Sequence, residues 1–307
     1  MHPLIPLAQK PALLCLLPIV GKTFLTGLFL LVPVSCVVLL WYKNYRALLF
    51  LCSSIAPWIV CWWIPLVMEQ HAWQQHVKSL PSMFCSTVSD PTVAIKIVAH
   101  QLKKIIADCP ETEVVIMPES AFNVSNFADF PELVQLWNSG GIGKAIHLVF
   151  GASRWREGNY YNSLHWVYNG VLQSCYDKQH AMLISERLSP WMNNTCMERV
   201  YFNQASPITQ SCNERIKLVM REDNSEFVPY ICSELFFSEL PDDTYGHVPI
   251  IAVINDLLFV GNVCSSYIQK LLVLLARSKA IQWQRDIVYV SYARSLFIDK
   301  QGMTQTM

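Results

Sequence analysis

Phe227-Val-Pro-Tyr-Ile-Cys-Ser-Glu-Leu-Phe-Phe237 is the stretch on which the reading of this chain turns. Phe227 to Ile231 is a short apolar, β-favouring run that delivers Cys232 to its end. Ser233 and Glu234 follow at once, and then a fresh apolar run begins. A strand that stops at a sharp turn can present a thiol to a cleft, with neighbouring backbone N–H groups aimed the same way. Taken alone, a cysteine among apolar residues is more often an inert core residue. The decision therefore rests on what the other strand ends carry.

Two of them carry complementary chemistry. Glu113-Val-Val-Ile-Met117 reads as a buried strand ending at Pro118-Glu119-Ser120, which sets a carboxylate at a strand terminus. Asn162 to Tyr168 and Val171 to Cys175 read as a hairpin about Asn169-Gly170, a strong turn signal. That hairpin leads into Tyr176-Asp177-Lys178-Gln179-His180, with Glu186 eight residues after the lysine. Each residue by itself is most simply a solvated surface charge. Together, Glu119, Lys178 and Cys232 each stand where a strand ends. A thiol needs a base to become a thiolate, and a partly buried carboxylate with a raised pKa can serve as one. A nearby ammonium stabilises both a thiolate and the oxyanion of a tetrahedral intermediate. Acyl transfer through a thioester requires these roles.

Around these stretches the pattern alternates. Pro91 to Ala107 reads as a helix, with Val93, Ile97, Val98, Leu102, Ile105 and Ile106 as its apolar stripe and Lys96, Lys103 and Lys104 outside. Pro131 to Ser139 reads as a helix closed by Gly140 and Gly141. Strands are expected at 147–152, 216–220, 226–231, 248–254, 286–292 and 295–298, and a long helix over 265–284. Alternating strands and helices indicate an α/β domain, placed at 91–302 with a connector at 68–90 and a tail at 303–307.

The front end differs. Thr23 to Trp41 is 19 residues without a charge, and Ala47 to Val67 is 21 more, separated by Lys43 and Arg46. Both are long enough to span a bilayer, and Trp58, Trp62 and Trp63 fit a headgroup belt. Two transmembrane helices, 23–41 and 47–67, are expected within a membrane region covering 1–67. Charged residues make up only 15% of the chain and the formal net charge is zero, so nothing suggests a nucleic-acid partner. The 11 cysteines include no C-x-x-C and no zinc spacing, so no metal or cofactor is expected.

Pro118-Glu119-Ser120, Tyr176-Asp177-Lys178-x-His180 with Glu186, and Ile231-Cys232-Ser233-Glu234 resemble the motifs of the nitrilase (carbon–nitrogen hydrolase) superfamily. Within it they look like the apolipoprotein N-acyltransferase branch, whose shorter members resemble TraB-type conjugal-transfer proteins. Supporting matches are Tyr161-Asn162-Ser163, Asn255-Asp256 and Ala276-Arg277. The resemblance implies a four-layer αββα sandwich, here preceded by the transmembrane hairpin. It implies Glu119 as general base and acid, Lys178 as oxyanion stabiliser and Cys232 as nucleophile. Glu186 and Glu234 match supporting acidic positions, Asn162 lies in a supporting motif, and the Ser233 N–H would complete the oxyanion hole. It further implies a phospholipid acyl donor, a lipoprotein amino group as acceptor, and a periplasmic domain on the bacterial inner membrane. Departures are Lys270, Lys279, Gln282 and Leu258, which stand where the branch usually has His, Arg, Glu and Trp. Two other readings stay open: a tethered amidase using the same triad with water as acceptor, and a non-catalytic component of a conjugation or secretion apparatus.

Overall fold

The computed structural model describes residues 71–80, 91–122, 145–156, 159–180, 218–219, 226–237, 248–257 and 265–307, with short pieces at 9, 11–14, 27, 30–38, 51–52, 55–56 and 68. The expected spans 23–41 and 47–67 lie largely outside these residues, as do the expected helix 131–139 and Glu186. Among the described residues no helix is long and apolar enough to cross a membrane. Two compact units are present.

The larger unit holds Gln70–Val260 and Val288–Phe297. Its first sheet has the order β1-β2-β3-β4-β5. Strand β1 is Val77–Ser79, β2 is Val114–Ile116, β3 is His147–Arg156, β4 is Asn159–Tyr168 and β5 is Val171–Asp177. β1, β2 and β3 run parallel. A parallel strand covered on both faces must be apolar throughout, and every residue of β2 is buried. Strand β1 lies in the expected connector, which is therefore structured at 77–79. Trp73 just before it packs edge-on against Phe227 and Phe297.

Helix α1 (Pro91–Asp108) starts on a proline, whose missing N–H costs nothing at a helix start. Its Ile95, Val98 and Leu102 join Val115, Met117, Phe122, Leu148 and Phe150 in one core. Val93, expected in the stripe, is instead exposed, and the buried face takes in Ile95 two residues later. Lys96, Lys103 and Lys104 are exposed, as the stripe requires.

The β4–β5 hairpin turns at Asn169 and Gly170, with φ of 49° and 77°. Two consecutive positive φ angles make the twisted two-residue turn that Asn-Gly favours. The strands are longer than the hydrophobic runs alone suggested, because Asn159 to Tyr161 still pair with Arg154 to Arg156. The β4–β5 pairing jumps between Trp166 and Val167. Trp166 faces Ser174 while Val167 faces Leu172, so Gln173 is the extra residue of a bulge.

The second sheet has the order β11-β10-β9-β8-β7-β6. Its strands are β6 (Leu218–Val219), β7 (Glu226–Ile231), β8 (Ile250–Val253), β9 (Ile287–Val290), β10 (Ser295–Ile298) and β11 (Thr304–Thr306). β7 and β8 are parallel, and all four residues of β8 are buried. Strand β11 falls in what the sequence suggested was a tail. The short helix α2 (Ser233–Phe237) follows β7 directly.

In the smaller unit, helix α3 (Ser265–Trp283) carries Arg277, whose Nε donates to the Gly302 carbonyl at 2.7 Å. Residues 30–38 are helical, with Leu30, Leu31, Val34 and Val37 each about half exposed.

His165 on β4 is buried and stacked on Phe150. Burial, and then the Arg154 charge, lower its pKa to about 4. The unfolded chain takes up this proton near its ordinary value and the folded chain only at about 4. The unfolded state thus holds more protons between those values, and stability falls as pH drops through that window. Thermal unfolding should therefore lose on the order of 3 kcal/mol between neutral pH and about pH 4 from this group. A flatter pH dependence in His165→Gln checks it; an unchanged slope refutes it.

Candidate active site

Glu119 stands just past the end of β2, and its backbone is under tension. Ser120 has φ of 55°, in the left-handed region that residues with a Cβ avoid. The turn fits only because Gly151 on β3 lacks a side chain. A Cβ there would lie 2.6 Å from the Ser120 nitrogen and 2.7 Å from the Glu119 Cα, both backbone atoms. Gly151→Ala should therefore cost about 1–3 kcal/mol in unfolding and displace Glu119. Wild-type stability in that variant would show that the turn is not held this tightly.

The Glu119 carboxylate is buried and receives donors on both oxygens. Oε1 accepts from Lys178 Nζ at 3.1 Å and from Asn162 Nδ2 at 2.7 Å. Oε2 accepts from the Asn255 backbone N–H at 2.9 Å. The orienting amide of Asn162 comes from β4, and the backbone carbonyl of the same residue accepts the Lys178 backbone N–H at 2.8 Å.

Lys178 follows the end of β5 and is 1% exposed. A buried ammonium needs a counter-charge, and Glu119 supplies it. The preceding residue, Asp177, points elsewhere. Its carboxylate takes both Nε and a terminal nitrogen of Arg154, and the Ser163 hydroxyl at 2.6 Å. One strand end thus sends its acid to a partly buried arginine and its base to the site.

Cys232 sits at the end of β7 with φ of 47°. This left-handed residue stands between strand and helix, and its thiol lies near enough to Glu119, Lys178 and the Asn255 N–H for each to act on its ionisation. Burial, and then the Glu119 charge, push the thiol well above its ordinary pKa, while Lys178 and the Asn255 N–H act the other way. The sulfur forms no disulfide.

Glu234 is fully buried and joins the two motifs. Oε1 accepts from Tyr176 Oη at 2.8 Å, the Gln179 N–H at 2.6 Å and the His180 N–H at 3.3 Å. Oε2 accepts the Ile231 N–H at 2.9 Å. The Ser233 hydroxyl donates to the His180 carbonyl at 3.0 Å. The turn carrying Cys232 is thereby fastened to the loop carrying Lys178.

The structure thus gathers Glu119, Lys178, Cys232, Asn162, Ser233 and Glu234 into one place, all within the larger unit. Two further residues belong to it. Tyr292 Oη bonds the carbonyls of Glu119 and Ser120 at 3.1 and 2.9 Å. Asp256 takes the Tyr292 and Ala293 N–H groups at 3.0 and 3.3 Å and the Ser291 hydroxyl at 3.0 Å. The sequence marked Asp256 only as part of an Asn-Asp pair, and nothing in it singled out Tyr292.

No protein-family model matches the sequence, and no curated protein matches it. Solved structures do. Nit3 of Saccharomyces cerevisiae, a member of branch 10 of the nitrilase superfamily, superposes with a TM-score of 0.49 at 17% identity, over 70% of this chain and 80% of its own. XC1258 of Xanthomonas campestris, a CN-hydrolase superfamily protein, gives 0.48 at 17% identity, over 71% and 80%. A carbon–nitrogen hydrolase of Helicobacter pylori G27 gives a TM-score of 0.51 at 14% identity, over 75% of this chain and 85% of that one. At that identity the likeness is one of fold, and the fold this chain shares is that of a carbon–nitrogen hydrolase.

Proposed function

We propose that this chain is a membrane-anchored acyltransferase that carries an acyl group on Cys232. The observation that supports it is the convergence of a partly buried thiol on a buried carboxylate–ammonium pair, the three coming from three strand ends. Glu119 takes the proton as the sulfur attacks the acyl carbonyl. Lys178 Nζ and the Ser233 N–H hold the developing oxyanion. The carbon–oxygen bond of the donor then breaks, and Glu119 passes the proton to the leaving alkoxide. A thioester remains. An incoming amine attacks it, gives its proton to Glu119, and leaves as an amide while the thiol is regenerated.

The acyl donor in this reading is a phospholipid and the acceptor is the amino group of a lipoprotein. Two features favour a lipid donor. The sequence holds two long uncharged runs, and helical residues 30–38 leave Leu30, Leu31, Val34 and Val37 facing outwards. Outward apolar side chains on one helix suit a hydrocarbon surroundings. The bilayer is then the bacterial inner membrane, with the catalytic unit periplasmic.

Detergent-purified full chain should acquire a labelled acyl group from phosphatidylethanolamine vesicles, found by mass spectrometry on the Cys232 peptide and lost in Cys232→Ala. No adduct with any phospholipid would overturn the reading. The fold favours a second one, a tethered amidase in which water replaces the amine. Ammonia release from simple amides, with no acyl transfer to an amine, would select it.

A further inference from the structure

We propose that Tyr292 is a positioning residue for Glu119, its hydroxyl clamping the Glu119–Ser120 backbone while Asp256 fixes Tyr292 from behind. The inference rests on Glu119 being the base of the site, and adds what keeps that base in place. A non-glycine residue in the left-handed region costs about 1 kcal/mol or more and persists only where its surroundings restrain it. Ser120 is such a residue, directly after Glu119. Gly151 gives the turn room, and Tyr292 gives it a restraint: one phenol proton shared between two successive carbonyls, at 3.1 and 2.9 Å.

The restraint is itself anchored. Tyr292 is buried, and its backbone N–H is held by Asp256 Oδ1. Asp256 Oδ2 meanwhile accepts Ser291 Oγ and the Ala293 N–H, which closes the turn that presents the phenol. Asp256 is also the neighbour of Asn255, whose N–H reaches Glu119 Oε2 at 2.9 Å. A single dipeptide thus grips the carboxylate directly and its backbone through Tyr292. Tyr292 touches no reacting atom; it acts by where it keeps Glu119.

The test reads that placement through the thiol, with no substrate involved. The ionisable groups facing Cys232 are Glu119, Lys178 and Tyr289, and Glu119 suppresses its ionisation. Alkylation of Cys232 by iodoacetamide, followed on its peptide against pH in the full chain, reports that suppression. Tyr292→Phe keeps the ring and removes the clamp. It should speed alkylation near pH 8 by about 3- to 10-fold, towards the rate of Glu119→Gln. The double variant should react no faster than Glu119→Gln alone, because Tyr292 acts only through Glu119. Asp256→Asn, which keeps one acceptor, should move the profile the same way by less, and decides the matter should Tyr292→Phe fail to accumulate.

A wild-type profile in both variants would overturn the proposal. So would an equal acceleration with and without Glu119, which would make the phenol a general support of the site. The functional reading fails separately: acyl transfer left intact by Glu119→Gln would remove the base while leaving the placement of Tyr292 still measured by alkylation.

Discussion

Glu119→Gln should drive two rates of the same sulfur in opposite directions. Acyl transfer from a phospholipid to Cys232 should fall by about 10²- to 10⁴-fold, the usual contribution of a positioned acid–base group. The leaving group of such a donor is an alkoxide, which needs the proton that Glu119 carries. Alkylation of Cys232 at a fixed alkaline pH should instead become faster. The carboxylate is one of the causes holding the thiol above its ordinary pKa, and Lys178 opposes it. With the carboxylate gone, burial still raises the thiol but Lys178 and the Asn255 N–H are no longer opposed by a neighbouring charge, so the thiol titrates at lower pH and more thiolate is present at a given alkaline pH. Labelled-lipid transfer and iodoacetamide kinetics on one preparation measure both. A fall in both rates would mean that the substitution merely distorts the site. No fall in transfer would remove Glu119 from the mechanism.

Glu234→Gln should give the second large effect, on stability and transfer together. Four donors converge on this carboxylate, from Tyr176, Gln179, His180 and Ile231. An amide offers one oxygen, and its NH₂ must face donors already in place. Charge-assisted hydrogen bonds are about twice as strong as neutral ones, and buried donors left unpaired cost about 1–3 kcal/mol each. A loss on the order of 3 kcal/mol, lowering Tm by roughly 10 °C, is expected. Because Glu234 ties the lysine loop to the cysteine turn, transfer by the remaining folded protein should drop by about 10²-fold, as for a misplacement of about 1 Å. Calorimetry with transfer measured well below Tm separates the two. Full transfer at low temperature would show that Glu234 serves folding alone.

The strand ends were legible because they are written in short-range chemistry. Asn169-Gly170 dictates a hairpin, and the hairpin dictates where Lys178 emerges. The strand expected at 226–231 coincides with β7, so Cys232 falls at its end as expected. Helix α1 was legible from its periodicity, apart from Val93, which periodicity alone could not tell from Ile95. Residues acting across long sequence distances were not. Tyr292 reaches a carbonyl 173 positions away, and a tyrosine in a turn after a strand has no local pattern that forecasts it. Gly151 reads as an ordinary strand glycine until the Glu119–Ser120 turn is laid against it. The single strand β1 was hidden for a similar reason: three residues pairing with β2 leave almost no periodic trace.

The extra residue Gln173 has a consequence for how this chain tolerates insertions and deletions. Beyond it, β5 alternates sides, sending Asp177 to Arg154 and delivering Lys178 to Glu119. Regularly paired strand neighbours swap faces when the count between them changes by one, but a bulge takes up one extra residue without shifting the pairs beyond it. Losing Gln173 would leave Ser174 to Asp177 opposite the same β4 partners, whereas a one-residue deletion between Ser174 and Lys178 would exchange an acid for a base at the heart of the cluster. Lineages of this protein should therefore tolerate loss of the bulge residue, and an odd-numbered change beyond it, between Ser174 and Lys178, should mark a copy that has abandoned the chemistry.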